Sequence, residues 1–213
     1  MMSAVIQLER LMERFPVLEV CREDIWKAFE VLKRTYEKSG MLLVCGNGGS
    51  GADSEHIVGE LMKEFAIKRP LSKEEREKLE AVSADNGKLL GEHLQGSLPA
   101  IPLTGNIALS TAFANDAVPE LVFAQQVYGY GNPNSSLMGI STSGNSRNVI
   151  YAIEVAKAKG METIGLTGEG GGQMKQLCDV CICVPASCTP DIQELHLPVY
   201  HALCRMVEEE FFG

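Results

Sequence analysis

Five short apolar runs punctuate the chain: MLLVC (41–45), AIPLT (100–104), SLMGIS (136–141), TIGLT (163–167) and VCICVP (180–185). Unbroken apolar runs mark strands covered on both faces. Helical patterns lie between most of them. NVIYAIEVAKAKG stops at Gly160, and AVPELVFAQQVYGYG closes on a glycine in the same way. Strands alternating with helices predict an α/β fold, a parallel, doubly wound sheet sandwiched by helices. Up to about Lys38 the chain reads as two further helices. In CREDIWKAFEVLKRTYEKSG, Ile25, Ala28, Phe29, Leu32 and Tyr36 recur at helical spacing. Because they precede the sheet, these helices (within 1–40) are expected to pack on another subunit or to cap the fold. DIQELHLPVYHALCRMVEEEFF is a last helix, with Pro198 expected to kink it. Residues 66–98 are charged and too poor in apolar residues for a core. They read as an inserted helical arm, with a helix start at Ser72-Lys73-Glu74-Glu75.

A length of 213 residues fits one domain, 1–213, and 45% hydrophobic with 22% charged residues is ordinary for a globular chain. The net charge of −9 argues against nucleic acid as a partner, since that binding rests on Lys and Arg. It leaves room for one phosphorylated ligand, because backbone N–H groups hold anions without a basic side chain. MMSAVIQLERLMERF has no apolar core of the kind a signal peptide needs, and no stretch is long enough to span a membrane. The seven cysteines, an odd number scattered through apolar segments, indicate reduced thiols and a cytoplasmic location. Cys178, Cys181, Cys183 and Cys188 are close in sequence. Cys181 and Cys183 lie at period two inside a strand-like run and no second CxxC exists, which favours buried thiols over a metal site.

Two turns carry the candidate chemistry. After the first strand, Gly46, Gly48 and Gly51 satisfy G-x-G-x-x-G, the dinucleotide fingerprint. That fingerprint requires a second strand and an acidic ribose clamp near 20 residues on, where this chain has the charged helical segment. No nucleotide cofactor is therefore expected. After the third strand, GISTSGNS gathers Ser141, Thr142, Ser143, Asn145 and Ser146 at the start of a helix. The helix N-terminus favours an anion there, and capping alone uses only one such residue. The surplus hydroxyls point to the phosphate of a sugar. His56 and Glu60, four apart, share a helix face, and Gln193 and His201, eight apart, share another. Spacing does not say whether the two helices meet. His196 points elsewhere, and His93 in the arm is assigned nothing.

CGNGGS, His56-x-x-x-Glu60, Asn115-Asp116, GISTSGNS and IQELH followed by His201 together resemble the sugar isomerase (SIS) family, and within it the phosphoheptose isomerases. The resemblance runs from about 41 to 211, apart from 66–98. It implies a Rossmann-like sheet of five parallel strands and a homotetramer with active sites at subunit junctions. It also implies the aldose–ketose interconversion of sedoheptulose 7-phosphate and D-glycero-D-manno-heptose 7-phosphate through an enediol. Glu60 would move the proton between C1 and C2, and His201 would serve the oxygens. Ser141, Thr142, Ser143 and Ser146 would hold the phosphate. Asn47, Gly48, Gly49 and Ser50, with Asn115, Asp116 and Gln193, would line the sugar chain. In some members the equivalents of His56, Glu60, Gln193 and His201 bind zinc, and N/O ligands suit that ion. The chain departs from the family pattern at Glu64, where an arginine is usual, and at Asp191 and Pro190 before the last helix. The arm is an addition to the compact isomerases. A non-catalytic SIS scaffold that binds phosphosugar or protein is the alternative, with the acidic arm as its partner surface; Glu60 and His201 favour the enzyme.

Overall fold

The computed structural model describes residues 2–213; Met1, at the head of the N-terminal segment, lies outside the described residues. Each apolar run becomes a strand: β1 (Leu42–Gly46), β2 (Ala100–Pro102), β3 (Ser136–Ile140), β4 (Glu162–Thr167) and β5 (Val180–Cys183). The sheet order is β2-β1-β3-β4-β5 and every pairing is parallel. Two of the three inner strands, β1 and β3, are buried along their whole length, as their continuous apolar sequence requires.

The pleat divides β1 between two cores. Leu42 and Val44 face a core built with α1 (Met2–Arg14), α2 (Arg22–Glu37), α3 (Gly49–Met62) and α10 (Thr189–Phe212). Leu43 and Cys45 face the other, built with α7 (Val122–Tyr130), α8 (Arg147–Ala158) and α9 (Met174–Leu177). The N-terminal helices belong to the first of these cores: Leu8, Leu11, Ile25, Phe29 and Leu32 are buried within this same chain. α10 runs through Pro198 as one helix of 24 residues.

The 66–98 segment folds as α4 (Lys73–Val82) and α5 (Ala84–His93). Ser72 caps α4 as predicted: its hydroxyl accepts from the Glu75 amide while the Glu75 carboxylate accepts from the Ser72 amide. α4 buries no residue, and the two helices pack on each other at Gly87, where a Cβ would lie 2.4 Å from the Glu80 Cα. The base of the arm is fastened by Arg69 and by an antiparallel bridge between Pro70 and Gln95. Two helices had no counterpart among the predicted elements: the short α9, and α6 (Ile107–Asp116), whose apolar residues are not buried in this chain. No helix among the described residues is long and apolar enough to cross a membrane.

Candidate active site

The strand order reverses direction between β1 and β3, and ligands of open α/β sheets bind at that reversal, beyond the carboxyl ends of the strands. Both polar turns lie there. β1 runs into Gly46, where a Cβ would meet the Ser50 carbonyl oxygen at 2.5 Å, and then Gly48, whose φ is +56°. Only glycine satisfies both demands, which is why the turn is glycine-rich. Asn47 is tied across the crevice to Asn148 by reciprocal amide hydrogen bonds of 2.9 and 2.8 Å. A cavity of about 410 Å³ opens here, lined in part by Asn47, Gly48, Glu55 and Thr104. The Thr104 hydroxyl donates to Glu55 at 3.0 Å.

After β3 the hydroxyls converge. Ser141 Oγ lies 2.9 Å from Ser146 Oγ and 3.5 Å from Ser143 Oγ. Ser146 occupies the N-cap position of α8 and makes no capping bond with its side chain, so its hydroxyl is spent within the cluster. The loop beyond β4 buttresses this turn: the Gly168 amide donates to the Thr142 carbonyl, the Gln173 amide to Asn145 Oδ1 and the Met174 amide to the Gly144 carbonyl. Gly144, with φ +65°, has no room for a side chain against the Gly171 carbonyl oxygen, 2.1 Å from its hypothetical Cβ. The result is a cluster of three hydroxyls centred on Ser141 at a helix N-terminus, with the field that favours an anion.

The second cluster lies at the other end of α3, where α3 and α10 run side by side. The His56 and His201 rings meet edge to face at 5.1 Å between centroids. His56 Nε2 is 3.1 Å from Glu60 Oε1, and Lys63 Nζ donates to Glu60 Oε2 at 3.1 Å. Phe65 packs against His201 at 5.3 Å. Burial pushes the His201 pKa down from its ordinary value, with the nearness of His56 acting in the same direction, which favours the neutral imidazole. Its Nε2 is buried and without a hydrogen-bond partner among the described residues. His201 also faces a cavity of about 320 Å³ whose rim carries Arg10, Arg14, Arg205 and Glu194.

The structure therefore brings His56, Glu60 and His201 together, and separately Asn47, Gly48, Gly49 and Ser50 with Ser141, Thr142, Ser143 and Ser146. Gln193 belongs to the first turn: a Cβ on Gly49 would lie 2.5 Å from its Nε2. Asn115 and Asp116 are exposed at the end of α6, joined to each other by a 2.7 Å bond from Asn115 Nδ2 to Asp116 Oδ1, and in this chain touch neither cluster. Where the family has an arginine, the Glu64 amide donates to Gln95, and the cation beside Glu60 comes from Lys63 instead.

Several contributors carried no signal in sequence. Tyr200 and Asp53 continue the His56 hydrogen bonding: Tyr200 Oη is 3.0 Å from His56 Nδ1 and donates to Asp53 Oδ1 at 3.2 Å. Arg69 reads as one of the arm's many charges. It is instead fully buried against Glu208, with an N–O distance of 2.8 Å. Glu208 also accepts the amides of Phe65 and Ala66, and Arg69 donates to the carbonyls of Leu61 and Glu60. This clamp pins the end of α3 that carries Glu60 onto α10, which carries His201. Only the pairing of residues 139 positions apart reveals it.

A parallel sheet with a hydroxyl-rich turn at its reversal point and a carboxylate–imidazole cluster on flanking helices defines an α/β domain with a candidate anion site at the switch point. The family model for the SIS domain matches residues 7–89 and 95–168 and so runs through much of the arm. The phosphoheptose isomerase of Akkermansia muciniphila is 35% identical over 207 residues, covering 97% of this chain and 96% of that protein. That of Nitratiruptor sp. is 41% identical, covering 92% and 90%. The solved phosphoheptose isomerase of Neisseria gonorrhoeae is 30% identical with a TM-score of 0.73 over 96% of this chain and 95% of that one. That of Francisella tularensis is 30% identical with a TM-score of 0.75, covering 92% and 91%. The chain belongs to the SIS-domain family and, within it, to the phosphoheptose isomerases.

Proposed function

We propose that the protein interconverts sedoheptulose 7-phosphate and D-glycero-D-manno-heptose 7-phosphate. The observation that carries this is the cluster in which His56 touches both Glu60 and a half-buried imidazole at His201, on two helices that a buried ion pair locks together. Aldose–ketose isomerisation needs a base at the carbon acid and a second group for the two oxygens. Glu60 carries the proton between C1 and C2. His201, neutral and with an uncommitted Nε2, exchanges a proton with the oxygens as the enediol forms and collapses. Ser141, Thr142, Ser143 and Ser146 hold the phosphate, and Asn47, Gly48, Gly49, Ser50 and Gln193 line the carbon chain.

One chain does not bring these parts to one substrate. From Gly49, at the crevice, to Glu60 the axis of α3 advances about 16 Å at 1.5 Å per residue. That exceeds the reach of an extended heptose chain. We therefore assign the Glu60–His201 pair and the phosphate turn of any one site to different copies, in the homotetramer that the family resemblance implies. Asn115 and Asp116, exposed in one chain, are assigned to the sugar of such a shared site. The seven free thiols suit a reducing compartment, and the cytoplasm is the proposed location.

Zinc is proposed as a bound ion held by His56, Glu60 and His201 of one copy, with Gln193 supplied by the copy that provides the crevice. The buried free Nε2 of His201 and the N/O donor set support it. Among the described residues, no group of three His, Cys, Asp or Glu side chains is drawn into a coordination shell, and Gln193 stands against Gly49. When bound, zinc would polarise the substrate carbonyl; the roles above do not depend on it. Metal analysis of protein purified without chelator tests its presence.

The function is tested by incubating the protein with sedoheptulose 7-phosphate and following the aldose product. Glu60→Gln and Ser143→Ala variants, each impaired alone, are then mixed under conditions that exchange subunits. Recovery of activity on mixing is expected from a shared site. No product from sedoheptulose 7-phosphate or other sugar phosphates, with zinc supplied, would favour the scaffold reading.

A further inference from the structure

Three side chains form a relay that ends on the base. Tyr200 Oη donates its single proton to Asp53 Oδ1 at 3.2 Å. Toward His56 Nδ1, 3.0 Å away, the tyrosine oxygen therefore presents only lone pairs. With that proton committed to Asp53, the contact is a hydrogen bond only if Nδ1 carries hydrogen. A neutral imidazole carries one, so its Nε2 is bare where it faces Glu60 Oε1 at 3.1 Å. The Glu60 carboxylate alone would select the opposite tautomer, with Nε2–H donating to it. Tyr200 works against that choice: it is buried, 1% exposed, and its oxygen has no water to turn to. Its ring is also wedged edge-on against both His56 and His201, at 5.5 and 5.1 Å.

We propose that Tyr200 and Asp53 are positioning residues that fix His56 as its Nδ1–H tautomer and turn the lone pair of Nε2 toward Glu60. Two acceptors 3.1 Å apart attract only through something positive between them. The pair is thus arranged to take a divalent cation such as zinc between them. A histidine that ligates a metal needs this arrangement, with its second nitrogen donating to a fixed oxygen. Here the fixed oxygen is a phenol, itself oriented by a carboxylate one helical turn before His56. The inference rests on the isomerase reading only for its kinetic consequence.

The experiment uses the full-length, metal-free protein with 15N-labelled histidine rings, at a pH well above the ordinary imidazole pKa of about 6.5. The His56 signals are assigned by difference against His56→Gln. Wild type is expected to show His56 protonated at Nδ1. In Tyr200→Phe the proton moves to Nε2. In Asp53→Ala, at a half-buried helical position, the freed tyrosine hydroxyl donates to Nδ1 and produces the same shift. Both variants are expected to lower kcat about 10–100-fold with KM changed less than about threefold. An Nε2–H tautomer in wild type would overturn the proposal. So would an unmoved tautomer in Asp53→Ala, or in a Tyr200→Phe variant of normal melting temperature. If the wild type shows the Nδ1–H tautomer but no isomerase activity, the functional reading fails and the tautomer assignment stands.

Discussion

Replacing Arg69 by methionine removes one partner of an ion pair in which both side chains are fully buried. Glu208 keeps the amides of Phe65 and Ala66, at 2.8 Å each, but loses the guanidinium that neutralises it. The carbonyls of Leu61 and Glu60 lose their donors, and the Phe212 ring loses a cation 4.6 Å from its centre. Breaking such a pair from one side costs about 3–5 kcal/mol, because the remaining charge stays in the interior uncompensated. That is a large share of the roughly 5–15 kcal/mol that holds a domain folded. The assay is urea denaturation at fixed protomer concentration, since assembly makes apparent stability concentration-dependent. With a slope of about 1–3 kcal/mol per molar, the midpoint should fall by about 1 M or more at unchanged slope. Arg69→Met combined with Glu208→Gln removes the stranded charge and should recover at least half of the loss. A single-variant loss below about 1 kcal/mol, or a double variant whose loss equals the sum of the two singles, would refute the reasoning.

Other outcomes follow from the geometry. Ser141→Ala removes the buried hydroxyl at the centre of the cluster and should raise KM about 10–100-fold, since a hydrogen bond to a charged group contributes about 1.5–3 kcal/mol; initial-rate kinetics over substrate concentration check it. Gly49→Ala puts a methyl 2.5 Å from Gln193 Nε2, so Gln193 must move. The expected result is raised KM with little change in melting temperature. His196 is fully buried, and burial pushes its pKa down to about 4. The unfolded chain, with an ordinary imidazole pKa, binds that proton first. The stability linked to His196 is therefore whole above about pH 6.5 and lost as pH falls to about 4, amounting to roughly 3 kcal/mol. Denaturation of wild type and His196→Phe across that range should show a shallower pH dependence in the variant.

The sheet and the hydroxyl-rich turn after β3 were legible in sequence because each is a local pattern. Unbroken apolar runs have one stable place in an α/β fold, and a cluster such as Ser141–Ser146 exceeds what a helix cap needs. The Ser72 capping box is local too and is formed as predicted. What spacing concealed was long-range. Positions 56 and 60 fix a face of α3, but only the parallel course of α3 and α10 shows that this face meets His201. Tyr200 carried no mark among the apolar residues around it, although its hydroxyl links Asp53 to His56. Arg69 was hidden by its neighbours: in a run of charges, each is expected to be solvated, and its burial depends on a glutamate 139 residues away. The N-terminal helices show the same limit. Their periodicity gave the buried face, while the surface covering it proved to be this chain's own sheet and last helix.

Proton exchange tests the central claim most directly. Sedoheptulose 7-phosphate is incubated with the protein in D₂O, and deuterium at the carbons next to the carbonyl is followed by NMR. If Glu60 carries the proton through an enediol, wild type incorporates deuterium at C1 of the ketose and C2 of the aldose, and a folded Glu60→Gln variant does so at least a hundredfold more slowly, about 3 kcal/mol in the barrier. Exchange undiminished in that variant would contradict the account.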